Sequence, residues 1–370
     1  MESKDAIVVG GGVIGCSIAL RLAEAGLKIA IIERGRIGCE ASRAAAGMLS
    51  PQASAQGPSP FFDLCMESRK LYPEWVARIS ELSGIDPEYQ DSGTLNVALD
   101  QAAQSDIGKW STWQIDAGLA AEKLSAQDLH AIEPAVTEQA VGAVLLPDDH
   151  QVENRRLMDA LDVAVRRAGI DLIEGRAVDG LQTKEGRATG VISSGDVLNA
   201  GVVILAAGCW SGSLFRDAGL EIPMVPARGQ ILAIKAERTL FSHVIHSGDC
   251  YLVPRRDNRI VIGSTVEYAG FRKATTAGGL HSLLRAAIGV APCLETLDVV
   301  ETWCGLRPDT PDHLPVLGPS AIDNLYLATG HFRNGILLAP ITAEILAKCV
   351  IEGSTPREIS WFGAARFSSV

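Results

Sequence analysis

Ala6-Ile7-Val8-Val9 is an unbroken apolar run with none of the alternation of a half-exposed strand, which predicts a parallel strand buried on both faces. A helical stretch from Val13 to Ala25 follows, with Gly26 as its stop, and then a second apolar run, Ile29–Ile32. Leu64 to Leu82 mixes apolar and charged residues at helical spacing, and Gly93–Leu99 reads as a strand. Residues 100–135 read as two polar, amphipathic helices. Residues 154–168 form a helix with Leu157, Leu161 and Val165 on one face. Strands are expected at Asp171–Val178, Ala188–Ile192 and Val202–Gly208, then in short pieces at Ile231–Ile234, Tyr251–Pro254 and Ile260–Gly263. The last two form a hairpin around Arg256-Asp257-Asn258. Residues 276–288 are helical, and a strand at Leu325–Gly330 feeds a turn and a final helix from Ile336 to Ile351. Parallel-type pieces lie at both ends and in the middle, with antiparallel-type pieces between them, so two interleaved domains are expected. Residues 35–60, rich in Ala, Gly, Ser and Pro, make poor core and suit a loop laid against a ligand.

The first two apolar runs bracket Gly10-Gly11-Gly12-Val13-Ile14-Gly15, which fits G-x-G-x-x-G at Gly10, Gly12 and Gly15. Gly10 permits a tight turn, Gly12 a close backbone approach to a pyrophosphate, and Gly15 close packing of helix on strand. The phosphates would face the helix N-terminus, where Val13 and Ile14 begin. Glu33 stands 18 residues after Gly15, where an acid binds the adenosine ribose hydroxyls. An acid there disfavours a 2′-phosphate, so FAD or NAD fits better than NADP.

At 370 residues the chain exceeds the usual size of one hydrophobic core. Its net charge of −11, from 33 basic and 44 acidic side chains, argues against nucleic acid and anionic membrane as partners. No apolar run approaches a membrane span, and Met1-Glu2-Ser3-Lys4-Asp5 lacks the basic start of a signal peptide. The eight cysteines include no C-x-x-C, and the seven histidines form no metal-binding spacing. The expectation is a cytoplasmic protein with reduced thiols and no metal site.

Further segments then converge with the N-terminal unit: Glu40-Ala-Ser-Arg-Ala-Ala-Ala-Gly-Met-Leu49, Leu205-Ala-Ala-Gly-Cys-Trp-Ser211, Gly305-Leu-Arg-Pro-Asp-Thr310 and Gly330-His-Phe-Arg-Asn-Gly-Ile-Leu-Leu-Ala-Pro340. Over nearly its whole length the chain resembles the FAD-dependent amine oxidases of the D-amino-acid oxidase class, and within it the glycine oxidases of thiamine thiazole synthesis. The resemblance implies an α/β fold in which a Rossmann-like FAD-binding domain (1–85, 143–218 and 312–370) is interleaved with an antiparallel-sheet α+β substrate domain (86–142 and 219–311). It implies FAD contacts from the glycine motif, Glu33, Arg34, Ser42, Arg43, Ala45, Ala46, Gly47, Met48, Val178, Ala207, Gly208 and Trp210. At the C-terminal turn it implies His331, Arg333, Asn334, Gly335, Ile336 and Leu337. It places Arg307 on the substrate carboxylate, Tyr251 beside it as a phenol donor, and Arg333 at the flavin end of the same cavity. The implied reaction is hydride transfer from Cα to flavin N5, then hydrolysis of the imine and reoxidation by oxygen. A homo-oligomer, as a tetramer, also comes with the family.

The residues leave alternatives open. Arg307 would instead be a surface ion-pair residue with Asp309 or Asp312, although the tight loop expected between Gly305 and Pro308 favours the carboxylate role. Asp249 would be an exposed strand acid or line the entrance. Cys304 lies in the region where related sarcosine oxidases attach flavin covalently, although its neighbours follow the glycine oxidase pattern. Preference for N-methyl or D-amino acids, or a flavin-binding module without turnover, are the competing readings.

Overall fold

The computed structural model describes residues 3–248 and 250–367; Met1, Glu2, Asp249 and the last three residues lie outside them. Two sheets organise the chain. The first has the order Val316–Pro319, Leu325–Thr329, Asp196–Leu205, Lys4–Val9, Ile29–Ile32, Asp171–Ile173, parallel after the first pair, with Arg187–Ser193 and Gly180–Lys184 added antiparallel off Asp196–Leu205. The unbroken apolar run now has its reason. Ala6 and Val8 enter a core shared with helices Val13–Glu24, Pro60–Ser83, Asn154–Arg167 and Ala339–Glu352, while Ile7 and Val9 enter a second core with Val203, Leu205 and Phe215. Period-2 alternation is absent because both faces are covered.

The second sheet has the order Asp298–Asp309, Val225–Lys235, Arg259–Gly263, Cys250–Pro254, Val244–Ser247, Thr94–Ala98, Gly142–Leu146, Glu122–Ser125. It is antiparallel except where Val244–Ser247 meets Thr94–Ala98. One face packs under helix Ala277–Val290 through Leu232, Ile234, Leu252, Ile262 and Leu283. The other face carries Ile231, Tyr251 and Trp303 and meets Ala46 and Met48 from the N-terminal loop. The two sheets therefore share a seam, and the site lies in it.

Several expectations change. The boundary at 142/143 falls inside strand Gly142–Leu146, which pairs on both sides within the second sheet. The segment around Arg307 is not a tight loop but the end of the twelve-residue strand Asp298–Asp309. Gly305 and Pro308 argue against a strand in the sequence, yet this is the sheet's edge, where proline is tolerated. The strand expected to reach Val178 stops at Ile173, followed by Gly175 at φ +70°. The last helix starts at Ala339, so 330–338 is an extended turn.

Candidate functional site

A single cavity of about 840 Å³ runs from Glu33 to Arg307 along the seam. Its dinucleotide end is built by backbone. Gly10 sits at φ +108°, and a Cβ there would stand 2.5 Å from the Ala206 carbonyl oxygen. A Cβ on Gly15 would strike the Gly10 carbonyl, so helix and strand could not pack as they do. A Cβ on Gly12 would meet only Ser42 Oγ, at 3.2 Å, on an otherwise open wall. Ser42 Oγ accepts the Val13 N–H at 2.9 Å, and the helix has no acid in its first turn. Its positive end is thus free to take a pyrophosphate.

Glu33 accepts the N–H groups of Gly11 and Gly35, both at 2.8 Å, and lines the cavity at the end of its strand. The Arg34 guanidinium lies 3.4 Å from the Trp210 ring centroid and pairs with Glu40 at 2.7 Å. Small residues at Ala44, Ala45, Ala46 and Gly47 line the middle of the cavity, with Met48 beyond them. These features fit FAD: a helix end with no acid in its first turn for the pyrophosphate, an acid for the ribose and a flat small-residue wall for the ring system.

The substrate end is built by side chains. Arg307 reaches across its neighbouring strand over Gly229, where any Cβ would collide with the guanidinium. Nη2 donates to Ser264 Oγ at 2.6 Å and Nη1 to the Thr265 carbonyl at 3.1 Å. Burial lowers its pKa, against the opposing pull of neighbouring Tyr251. Tyr251 lies across Gly263, its cross-strand partner, and a Cβ there would collide with the phenol. Burial raises the phenol pKa, keeping it an O–H donor, although Arg307 and Ser264 work against the shift. The acids that could have neutralised Arg307 are engaged elsewhere. Asp309 takes Tyr268 Oη and His313 Nδ1, both at 2.7 Å, and Asp312 takes Arg366 at 2.7 Å. A buried guanidinium and phenol facing one cavity make a receptor for a small carboxylate.

Of the residues expected at the site, all but three line this cavity. Gly15 acts by packing beneath the turn. Arg43 turns away to Asp159, at 2.6 Å, and so is not placed to contact a ligand. Leu337 is buried, and its carbonyl accepts from Ser68 Oγ at 2.6 Å. Arg333 lines the cavity from the C-terminal turn, with its guanidinium 5.2 Å from the Phe332 ring centroid. His331 is buried against Thr342 Oγ1 at 3.1 Å, and burial pushes its pKa down to about 3. Val178 reaches the cavity from an irregular segment rather than from a strand. Asp249 lies outside the described residues.

Sequence reasoning missed His246, Ser264, Thr265, Gly229 and Gly263. His246 is the cross-strand partner of Tyr251, with ring centroids 5.9 Å apart. Its Nε2 is buried with no hydrogen-bond partner among the described residues, and burial drives its pKa down to about 4. It stands neutral in the cavity wall. The signal for it was pairing of its strand with Tyr251's, which a short, irregularly spaced apolar run did not reveal.

Residues 5–349 match the family model described as FAD dependent oxidoreductase. A bifunctional protein ThiO/ThiG of Trichormus variabilis is 36% identical over 99% of this chain and 55% of its own length. The chain thus spans about half the length of such curated relatives. A glycine oxidase of Bacillus licheniformis is 34% identical, over 97% of this chain and 96% of that protein. The crystal structure of glycine oxidase from Geobacillus kaustophilus superposes with a TM-score of 0.95 at 32% identity, covering 99% of each chain.

Proposed function

Because the chain belongs to the FAD-dependent oxidoreductase family, we propose that it is an oxidase of glycine and other small amines, sarcosine and small D-amino acids among them. The observation that carries the reading is the pair of glycines, Gly229 and Gly263, that seat Arg307 and Tyr251 beside one cavity continuous with the dinucleotide cradle. FAD, held by the Gly10–Gly15 turn, Glu33 and the Ala44–Met48 wall, would supply the two-electron acceptor for hydride from the substrate Cα, with oxygen as the final oxidant. Arg307 pairs with both carboxylate oxygens and Tyr251 adds one O–H donor, which fixes the Cα at a set distance from that anchor. His246, held neutral by burial and by the nearby Arg333, adds no second positive charge to that wall. From glycine the products are glyoxylate, ammonia and hydrogen peroxide.

The flavin is held without a covalent bond in this reading. Gly305 and Arg307 face the cavity, so Cys304, one residue before Gly305 on the same strand, faces the opposite side, beside Arg228, Glu267 and Lys273. A cytoplasmic homotetramer serving thiazole formation for thiamine rests on the family likeness. No helix among the described residues is long and apolar enough to cross a membrane. We also divide the chain by its two sheets, with residues 143–146 moved to the substrate domain.

Anaerobic glycine should bleach the yellow holoenzyme, and air should restore the colour with release of peroxide. Absence of bleaching by glycine, sarcosine and D-alanine alike would overturn the assignment. Acid precipitation should release all the colour into the supernatant; colour kept by the pellet would show a covalent link.

A further inference from the structure

We infer that the ion pair between buried Arg228 and half-buried Glu267 is a positioning device for Arg307, locking the short segment that holds its guanidinium. The inference rests on the carboxylate-anchor reading of Arg307 and adds residues to it that do not touch the substrate. Strand Val225–Lys235 presents Gly229 on the face that seats Arg307, so Arg228 and Gln230 fall on the opposite face. Arg228 is 4% exposed. Its Nη2 donates to the Glu267 carboxylate, and the two backbones exchange N–H···O bonds at 2.8 and 2.9 Å.

Gln230 completes the lock. Its Nε2 donates to Glu267 Oε1 at 2.6 Å and to Thr276 Oγ1 at 3.1 Å, and its Oε1 accepts the Thr276 N–H at 2.7 Å. Gly279 has no side chain where the Gln230 amide lies. Both ends of the 264–276 segment are therefore tied to one strand.

Thr265 links the two faces. Its hydroxyl accepts the Gln230 N–H at 3.0 Å, while its carbonyl accepts Arg307 Nη1 at 3.1 Å. Ser264 Oγ, one residue earlier, accepts Arg307 Nη2. Burial alone would raise the Glu267 pKa, but hydrogen bonds with Thr265, Arg228 and Gln230 outweigh it and hold the carboxyl below its usual range. Glu267 is thus an anion that gathers the donors of the segment. A partly exposed ion pair of this kind adds little net stability. What it supplies here is a fixed place for Ser264 and Thr265, and through them for the guanidinium fork.

The test uses the FAD-loaded enzyme with glycolate titrated against the flavin absorbance, alongside steady-state kinetics on glycine. Glu267→Gln, which keeps shape but removes the charge, and Arg228→Met should each weaken glycolate binding and raise KM for glycine about tenfold, the scale of one hydrogen bond to a charged group. The value of kcat and the FAD content should hold, and Arg228→Lys should recover part of the loss. Adding Glu267→Gln to Arg307→Ala should cost almost nothing further, since the anchor it positions is gone. Unchanged glycolate affinity in both single variants, or a full additive loss in the Arg307→Ala background, would overturn the inference. If glycolate leaves the wild-type flavin untouched, the carboxylate-anchor reading falls, and this inference falls with it.

Discussion

At the dinucleotide end of the cavity the groups on display are amides and small residues from contiguous stretches, 10–15 and 41–48. At the substrate end they are Arg307, Tyr251, His246 and Arg333, drawn from a pair of neighbouring strands, a third strand some fifty residues on and a turn beyond it. The first is set by local chain conformation, the second by the register of an antiparallel sheet. A backbone cradle tolerates changes in side chains but not in φ or in the space above a glycine. A side-chain receptor tolerates neither loss of its charged group nor a filled gap beneath it. The two ends should therefore fail independently.

The largest effect should come from Arg307→Ala. Losing one partner of a buried charge pair costs about 2–5 kcal/mol. In kcat/KM for glycine that is a loss on the order of 30-fold to several thousand-fold, with FAD content unchanged. Arg307→Lys should rescue only part, because an ammonium lacks the planar fork. Near-normal kinetics in Arg307→Ala would break the comparison and pass the anchor role to Arg333.

Gly12→Val should give the mirror image. The new side chain has room in the protein but stands where the pyrophosphate approaches, so the apo-protein should keep its melting temperature while FAD affinity falls by roughly a hundredfold. Equilibrium titration of apo-protein with FAD measures it. Gly229→Ala sits between the two. Its Cβ displaces the Arg307 guanidinium, so KM for glycine should rise about tenfold, the scale of one weakened charge-assisted bond, with FAD binding intact.

The smallest and most diffuse effect concerns His331, whose pKa is pushed down to about 3 by burial. The folded protein keeps it neutral, whereas the unfolded chain takes up a proton below about pH 6.5. Stability should thus fall as pH drops from 6.5 toward 3. In His331→Asn the urea midpoint should depend less steeply on pH over that window. An unchanged slope would show that His331 is already protonated in the fold.

The same contrast explains what could be read in advance. The glycine motif, Glu33, the Ala44–Met48 loop and the C-terminal turn are local signals, and the parallel strands near them are long, buried apolar runs. Strand Asp298–Asp309 was hidden because Pro308, facing Pro226 across an edge pair, and Gly305 look like loop punctuation. Arg307 was nevertheless singled out, through its family segment, while its actual support stayed invisible. Gly229 and Gly263 acquire meaning only when paired with Arg307 and Tyr251 across strands. Ser264 and Thr265 matter through one hydroxyl and one carbonyl, and no residue-type pattern carries that. Arg43 lies inside a ligand-facing segment, and its ion pair with Asp159 is not legible from that segment alone.

Strand Asp298–Asp309 touches both ends of the cavity at once. Trp303 Nε1 donates to the Ala44 carbonyl at 3.1 Å, the bare Cα of Gly305 admits the Ala44 methyl, and Arg307 follows two residues on. Those three alternate positions act as a caliper: one jaw rests on the loop against the ring system, the other grips the substrate. Its gap is two residues of extended chain, roughly 7 Å. Side chains elsewhere in the cavity can be exchanged to admit larger or smaller amines without altering that gap. Deleting or inserting one residue between Trp303 and Arg307 would turn the grip to the far side of the sheet. The instrument can change what it measures far more easily than it can change its own scale.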